Sequence, residues 1–123
     1  MARVDIAVGV TNDRSQCILQ LSQDGKAQGH LSLDAPALDD LIRRLALCRQ
    51  NLAEQVVPEL EPVSRIDFEK YPGWRVPDQH PGAANDSMLI LRHSGLGWLA
   101  FLLEPTRALT IAHALTGKVL QKL

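Results

Sequence analysis

A hydrophobic pattern recurs without gaps between residues 17–51 and residues 87–121 of this 123-residue chain. The matched positions include Leu19 and Leu89, Leu21 and Leu91, Gly25 and Gly95, Leu33 and Leu103, and Leu45 and Leu115. Each copy has the pattern of a strand, a tight turn, a second strand and an amphipathic helix. The sequence therefore predicts an α+β fold built from two hairpin–helix units, a ββα pseudo-repeat. The pattern indicates an architecture and no chemistry.

Local signals define the elements of the first copy. Asp24-Gly25 separates alternating runs at 16–22 and 27–33, and this dipeptide is typical of a two-residue hairpin turn. Asp34 suits a helix N-cap, so a helix is predicted over about 35–54. Its apolar stripe is formed by Leu38, Leu41, Ile42, Leu45 and Leu52. A further strand is predicted at 3–10, where valine and isoleucine alternate with other residues.

The second copy has the same order of signals. A strand is predicted at 88–92, a turn at 93–97 and a returning strand at 98–103. Glu104-Pro105 then opens a helix, because proline is tolerated at the first helical position. Two hairpin–helix units with extra strands predict a mostly antiparallel sheet with two helices on one face. We expect a single α+β domain spanning 1–123.

A proline-rich segment joins the two copies. Residues 56–86 hold five of the seven prolines, which remove backbone donors and disfavour helix in the preceding residue. The segment is therefore predicted to be extended or looped. One short strand is predicted at 64–69, where Ile66 and Phe68 alternate with charged residues, and 71–74 is predicted to be a turn.

The two hairpins differ on the face that points away from the helices. In the first hairpin this face carries Gln20, Ser22, Gln28, His30 and Ser32, which suit water. In the second hairpin it is largely apolar, with Met88, Ile90, Trp98, Ala100 and Leu102. One layer of helices covers only one side of a sheet, so something else has to cover this second face, which we call the outer face.

The sequence is compatible with three different occupants of the outer face. The proline-rich segment could fold back and place Tyr71 or Trp74 over Trp98. A second copy of the chain could pack there, sheet to sheet, in a twofold dimer. A different protein or a small apolar ligand is the third candidate. Trp98 is the natural anchor for a partner, since tryptophan is enriched at binding hot spots.

Composition limits the partners and the compartment. Thirteen basic and fourteen acidic residues give a net charge of −1, which gives no electrostatic argument for nucleic acid or an anionic membrane. The N-terminus lacks the apolar core of a signal peptide, and no window has the length of a membrane span. Cys17 and Cys48 are predicted to be buried, reduced thiols. We therefore expect a cytoplasmic protein that binds neither nucleic acid nor membrane.

No motif predicts catalysis or a cofactor. His30, His80, His93 and His113 lack zinc-ligand spacing. Ser94 follows a histidine, but the G-x-S-x-G sequence of a nucleophile elbow is absent. Gly95-Leu96-Gly97 is too short for a dinucleotide fingerprint and joins two predicted strands. We therefore assign no catalytic residue, no metal ligand and no cofactor.

The main functional hypothesis is a non-catalytic, protein-binding or adaptor-type small domain. It is expected to be a homodimer through the outer face of the second hairpin, with a further protein partner also open. The alternative is a small-molecule or metal-binding protein with a site at the 71–86 loop and His93. A third hypothesis is an adaptor that captures an extended peptide along a free sheet edge.

Overall fold

The fold is mixed α+β, as predicted. The computed structural model describes residues 3–60, 62, 66–78 and 80–123. Its elements in chain order are β1 (Val4–Val10), β2 (Cys17–Gln23), β3 (Lys26–Leu33), α1 (Ala35–Asn51), β4 (Trp74–Arg75), β5 (Ser87–His93), β6 (Gly97–Leu103) and α2 (Pro105–Gln121). The chain divides into two compact units, Met1–Leu60 and Glu61–Leu123, and each is described by itself.

The strands form two three-stranded antiparallel sheets where one sheet was predicted. The first sheet has the order β1-β2-β3 and the second has the order β4-β5-β6. The prediction of one sheet was wrong because strand pairing is long-range, and hairpin signals specify only the neighbours that a turn joins. The two hairpins and the strand at the start of the chain lie where the sequence indicated.

The first sheet is held in register by its turns. Asp24 and Gly25 both have positive φ angles, 51° and 81°, as a type I′ hairpin turn requires. Between β1 and β2, the Asp13 carboxylate accepts hydrogen bonds from the Thr11 hydroxyl at 2.7 Å and the Ser15 hydroxyl at 2.7 Å. The Thr11 hydroxyl, followed by the Ser15 hydroxyl and backbone N–H, lowers the pKa of Asp13 to about 2.

The second sheet contains a strand that the sequence did not reveal. Trp74, the last residue of the turn predicted at 71–74, and Arg75 form β4 opposite Leu91 and Ile90. In the predicted strand at 64–69, residues 66–69 are not in a strand, and residues 64 and 65 lie outside the described part of the chain. The alternation of apolar and charged residues favoured a strand at 66–69. The strand that pairs with β5 is instead formed by Trp74 and Arg75, further along the chain.

Burial is sparse in the described residues, where Cys17 and Ala83 alone are buried. Leu38, Leu41 and Ile42 at the start of α1 are half-buried. Leu45 further along α1 is 57% exposed, and Leu115 on α2 is 64% exposed. The structure therefore leaves most of both helical stripes uncovered, where we predicted helices packed on a sheet face. Cys48 is also exposed, contrary to prediction, while Cys17 is buried; both are free thiols.

The helices begin at different kinds of cap. The Asp34 carboxylate accepts a hydrogen bond from the Ala37 backbone N–H at 3.0 Å. Glu104 occupies the same position before α2 and makes no side-chain hydrogen bond to its helix. An aspartate side chain has the length to reach the first-turn N–H groups, which otherwise lack partners. Neither helix, nor any other in the described residues, has the length and apolarity needed to cross a bilayer.

The two caps should therefore differ in their contribution to stability. Asp34→Ala leaves a first-turn N–H without its partner, and we expect the free energy of unfolding to fall by about 1 kcal/mol. The matched variant Glu104→Ala removes only a charge near the helix dipole, and should cost roughly 0.3 kcal/mol. Urea denaturation followed by circular dichroism measures both changes. Equal losses would contradict the assignment of a cap to Asp34 alone.

Candidate functional site

The hairpin of β5 and β6 brings all five predicted interface residues onto one face. Met88 pairs with Leu102, and Ile90 pairs with Ala100. Trp98 pairs with Arg92, two residues further along β5. Residues directly opposite each other in an antiparallel pair point to the same side, and alternate residues share a face. These side chains therefore form one continuous row, in which Arg92 interrupts the apolar residues.

The opposite face of the same sheet is also apolar. It carries Leu89, Leu91, Leu99, Phe101 and Leu103, which alternate with the outer-face residues along β5 and β6. In the first sheet, by contrast, β2 and β3 place Gln20 opposite His30 and Ile18 opposite Ser32 on the corresponding face. The second sheet thus needs a covering layer on both sides.

Neither aromatic residue that the sequence offered as a cover lies over Trp98. Trp74 pairs with Leu91, so its side chain points to the opposite side of the sheet from Trp98. Tyr71 is 88% exposed. Trp98 itself remains 59% exposed. The outer face therefore keeps an uncovered aromatic anchor in the described part of the chain.

Gly73 lies against the rim of the Trp98 indole. The Gly73 carbonyl accepts a hydrogen bond from the Arg92 backbone N–H at 2.8 Å, which extends the pairing of β4 and β5 by one residue. A Cβ added at Gly73 would lie 3.1 Å from Cη2 of Trp98 and 3.5 Å from Cβ of Arg92. The indole therefore reaches across β5 to the β4 side of the sheet. The absence of a side chain at Gly73 leaves room for it.

A cavity opens beside this indole. Arg75, Ile90 and Trp98 line a shallow, open space of about 400 Å³. Arg75 pairs with Ile90, so its side chain points to the outer face. The sequence did not single out Arg75 or Gly73. Arg75 belongs to a two-residue strand and Gly73 directly precedes it, within a proline-rich stretch. A strand this short has no alternation that the sequence could show.

Charged groups at the β5–β6 turn hold it in place. Glu69 Oε1 accepts a hydrogen bond from the Ser94 backbone N–H at 2.5 Å and lies 3.9 Å from His93 Nδ1. The hydrogen bond from Ser94 lowers the pKa of Glu69, with a smaller contribution from the nearby charge of Arg92. His93 Nδ1 also accepts the backbone N–H groups of Gly95 and Leu96 at 3.0 Å each. These contacts assign His93 a structural role in the turn.

The loop before β5 forms a second cavity, of about 490 Å³. It is lined by Pro77, Asp78, His80, Pro81, Ala83, Ala84, Asp86 and Met88. His80 Nδ1 accepts the Gly82 backbone N–H at 3.0 Å, so only its Nε2 is left for a ligand. Residue 79 lies outside the described part of the chain.

The structure brings only one end of the 71–86 loop near His93. Gly73, near the start of the loop, accepts a hydrogen bond from Arg92, the residue before His93. The other end of the loop enters β5 at Ser87, about 20 Å along the strand from His93. Among the described residues, no three histidine, cysteine, aspartate or glutamate side chains come together as metal ligands.

Comparison with known proteins identifies no relative. No family model matches the chain, and neither a curated protein nor a solved structure matches it significantly. The geometry of the second unit is therefore the basis for a functional proposal.

The contact between Gly73 and Trp98 yields a test of the site geometry. Gly73→Ala places a methyl group 3.1 Å from the indole, so the ring has to shift by a few tenths of an ångström. We expect the indole N–H resonance of Trp98 to move in a ¹⁵N-correlation spectrum. Gly9→Ala in β1 is the control, because no atom lies within 4 Å of its added Cβ. An unchanged Trp98 resonance in Gly73→Ala would contradict this position of the indole.

Proposed function

We propose that this chain is a non-catalytic protein-binding domain that works as a homodimer through the outer face of the second hairpin. The observation that carries the proposal is Trp98, which remains 59% exposed on an apolar sheet face beside an open cavity. Burying a large apolar side chain contributes about 1.5–3 kcal/mol. A partner that covers Trp98, Ile90 and Leu102 would therefore bind with a substantial apolar contribution. A second copy of the chain is the partner proposed for the outer face, because it is always present at the same concentration as the first.

Several wider predictions belong to this proposal. We propose that residues 17–51 and 87–121 are a true ββα pseudo-repeat within one domain, supported by the order of hairpin and 17-residue helix in each unit. Divergence of the two copies on their outer faces would then have made the second copy the binding surface. We also propose a cytoplasmic location, supported by the two free cysteines.

Replacing Trp98 with a charged residue tests the dimer. In light scattering coupled to size-exclusion chromatography, we expect the wild-type chain near twice 13.6 kDa. Trp98→Glu buries a charge in an apolar interface, so the dissociation constant should rise about 30-fold or more, corresponding to at least 2 kcal/mol. The matched variant Gln20→Glu adds the same charge at a central strand position of the polar face of the first sheet, and should leave the dimer intact.

Circular dichroism separates loss of the dimer from loss of the fold. Trp98→Glu should retain the secondary structure of the wild-type chain as a monomer. If the wild-type chain is monomeric at all concentrations and Trp98→Glu unfolds it, the row is part of a core and the proposal is wrong.

The cavity of the loop supports a second candidate function, binding of a small polar molecule. Its lining combines two carboxylates, Asp78 and Asp86, with His80 and the apolar Met88. Such a mixture of charged and apolar groups suits a cationic or hydrogen-bonding ligand. A thermal-shift screen of small molecules and divalent metals tests it. Asp86→Asn should abolish any stabilisation by a ligand of this cavity, and a screen with no stabilising compound would count against this function.

A further inference from the structure

The β5–β6 turn is held by two acceptors from different parts of the chain. His93 Nδ1 accepts the backbone N–H groups of Gly95 and Leu96 at 3.0 Å each. Glu69 Oε1 accepts the Ser94 backbone N–H at 2.5 Å, across 25 residues of sequence. The same oxygen lies 3.9 Å from His93 Nδ1. The first acceptor belongs to the hairpin, and the second belongs to the proline-rich segment.

These contacts fix the protonation state of His93. A ring nitrogen that accepts a hydrogen bond carries no proton, so His93 is here a neutral imidazole with its proton on Nε2. Protonation would place a hydrogen on Nδ1, and Nδ1 could then only donate. It would face two N–H groups that also only donate. The contacts of Gly95 and Leu96 with the ring are therefore incompatible with a charged His93.

Glu69 offers the protonated ring a new partner. Its Oε1 lies 3.9 Å from His93 Nδ1, about 1 Å beyond the length of a charge-assisted hydrogen bond. A carboxylate has two oxygens and about four lone-pair sites, so Glu69 can keep the Ser94 N–H while it accepts a second donor. The side chains of His93 and Glu69 are 41% and 26% exposed, so the pair is partly shielded from water.

Glu69 is ionised over the pH range in which histidine changes charge. The hydrogen bond from Ser94 lowers the pKa of Glu69, and the nearby charge of Arg92 lowers it further. Histidine ordinarily changes charge between about pH 5 and 8. The residue opposite His93 on β6 is a glycine, and the Lys70 ammonium lies 5.3 Å from a tyrosine ring. Among the charged groups that the structure describes around this turn, Glu69 thus favours a charge on His93 and Arg92 opposes it.

We propose that the β5–β6 turn is a pH-dependent switch in which His93 exchanges hydrogen-bond partners. In its neutral form, His93 accepts the Gly95 and Leu96 N–H groups and holds the turn. When it takes a proton from solvent, it releases these groups to water and donates Nδ1–H to Glu69. Acid therefore loosens the tip of the hairpin, and it fastens the proline-rich segment to the hairpin through two donors where there was one.

The switch adjoins the residue proposed as the binding anchor. Gly97 is opposite His93 and begins β6, and Trp98 follows it directly. Glu69 is four residues before Gly73, which lies against the Trp98 indole. Both elements that change their attachment are thus close in sequence to the surroundings of Trp98. Every contact of the switch lies within one chain, so it operates with or without the homodimer.

A pH titration followed by ¹H–¹⁵N NMR tests the exchange. As His93 is protonated, the amide protons of Gly95 and Leu96 should move upfield, because they lose their acceptor. The heteronuclear NOE of Glu69 should rise, because its segment is held by a second donor. Imidazole ¹⁵N shifts report the charge of His93 in the same sample. If His93 becomes charged while the Gly95 and Leu96 amides do not move, the exchange does not occur and the proposal is wrong.

His93→Asn separates the switch from a general effect of acid. An asparagine carbonyl bonds the N–H group two residues on, so this variant keeps an acceptor for the turn, but it does not titrate. Its Gly95 and Leu96 resonances should be independent of pH between about pH 5 and 8. A dependence on pH that persists in this variant would assign the change to another group and overturn the proposal.

Glu69→Gln tests the new partner of the ring. The glutamine keeps an acceptor for the Ser94 N–H but has no charge to attract the protonated ring. The Gly95 and Leu96 amides should then respond at a pH lower by about half a unit, the scale of an exposed ion pair. The NOE at position 69 should no longer rise. A titration identical with that of the wild-type chain would overturn the transfer to Glu69. Circular dichroism checks the fold of each variant, and the wild-type titration alone is decisive where a variant does not fold.

Discussion

Alternation of side chains along β5 and β6 is the constraint on which the rest of the second unit depends. Because successive residues of a strand point to opposite faces, a run such as Met88–Leu91 places apolar side chains on both sides of the sheet. A hairpin joined to one helix supplies a cover for one side at most. The second face must then be covered from elsewhere in the chain or by another molecule. The described aromatic residues of the proline-rich segment do not cover it.

The first unit has the same order of three strands and a helix, but only one face of its sheet is mostly apolar. On its apolar face, Ile6, Val8 and Leu19 lie together, while the other face of β2 and β3 is mostly polar and suits water. A one-sided sheet is typical of an antiparallel sheet with one face towards a core. The difference between the two units therefore lies in the residues at alternate positions, and it does not require a different chain path.

Local signals allowed much of the fold to be predicted from the sequence. Asp24-Gly25 located the first hairpin, and Asp34 located the start of α1, because each residue satisfies or shapes the backbone next to it. The five outer-face residues could be grouped for the same reason, since alternation within a strand is a local property. The signals failed where structure depends on distant pairing. The two-residue strand β4 exists only through its pairing with β5.

The register of β4 with β5 is the feature of the site that could not be predicted from the sequence. Its register with β5 places Trp74 on one face and Arg75 on the other, and a shift of one residue would exchange them. In the exchanged register Trp74 would lie on the Trp98 face, and the proline-rich segment would supply its own apolar cover. Alternation in a two-residue strand cannot distinguish these registers. The pairing therefore decides whether the outer face is closed by its own chain or left available to a partner.

The two proposed functions of the second unit share a residue. Met88 belongs to the outer-face row and also lines the loop cavity. A ligand held in this cavity and a second copy on the outer face would therefore contact the same side chain. If the affinity for the ligand differed between monomer and dimer, the ligand would shift the dimerisation equilibrium by the same factor. A test of either proposed function is for this reason also informative about the other.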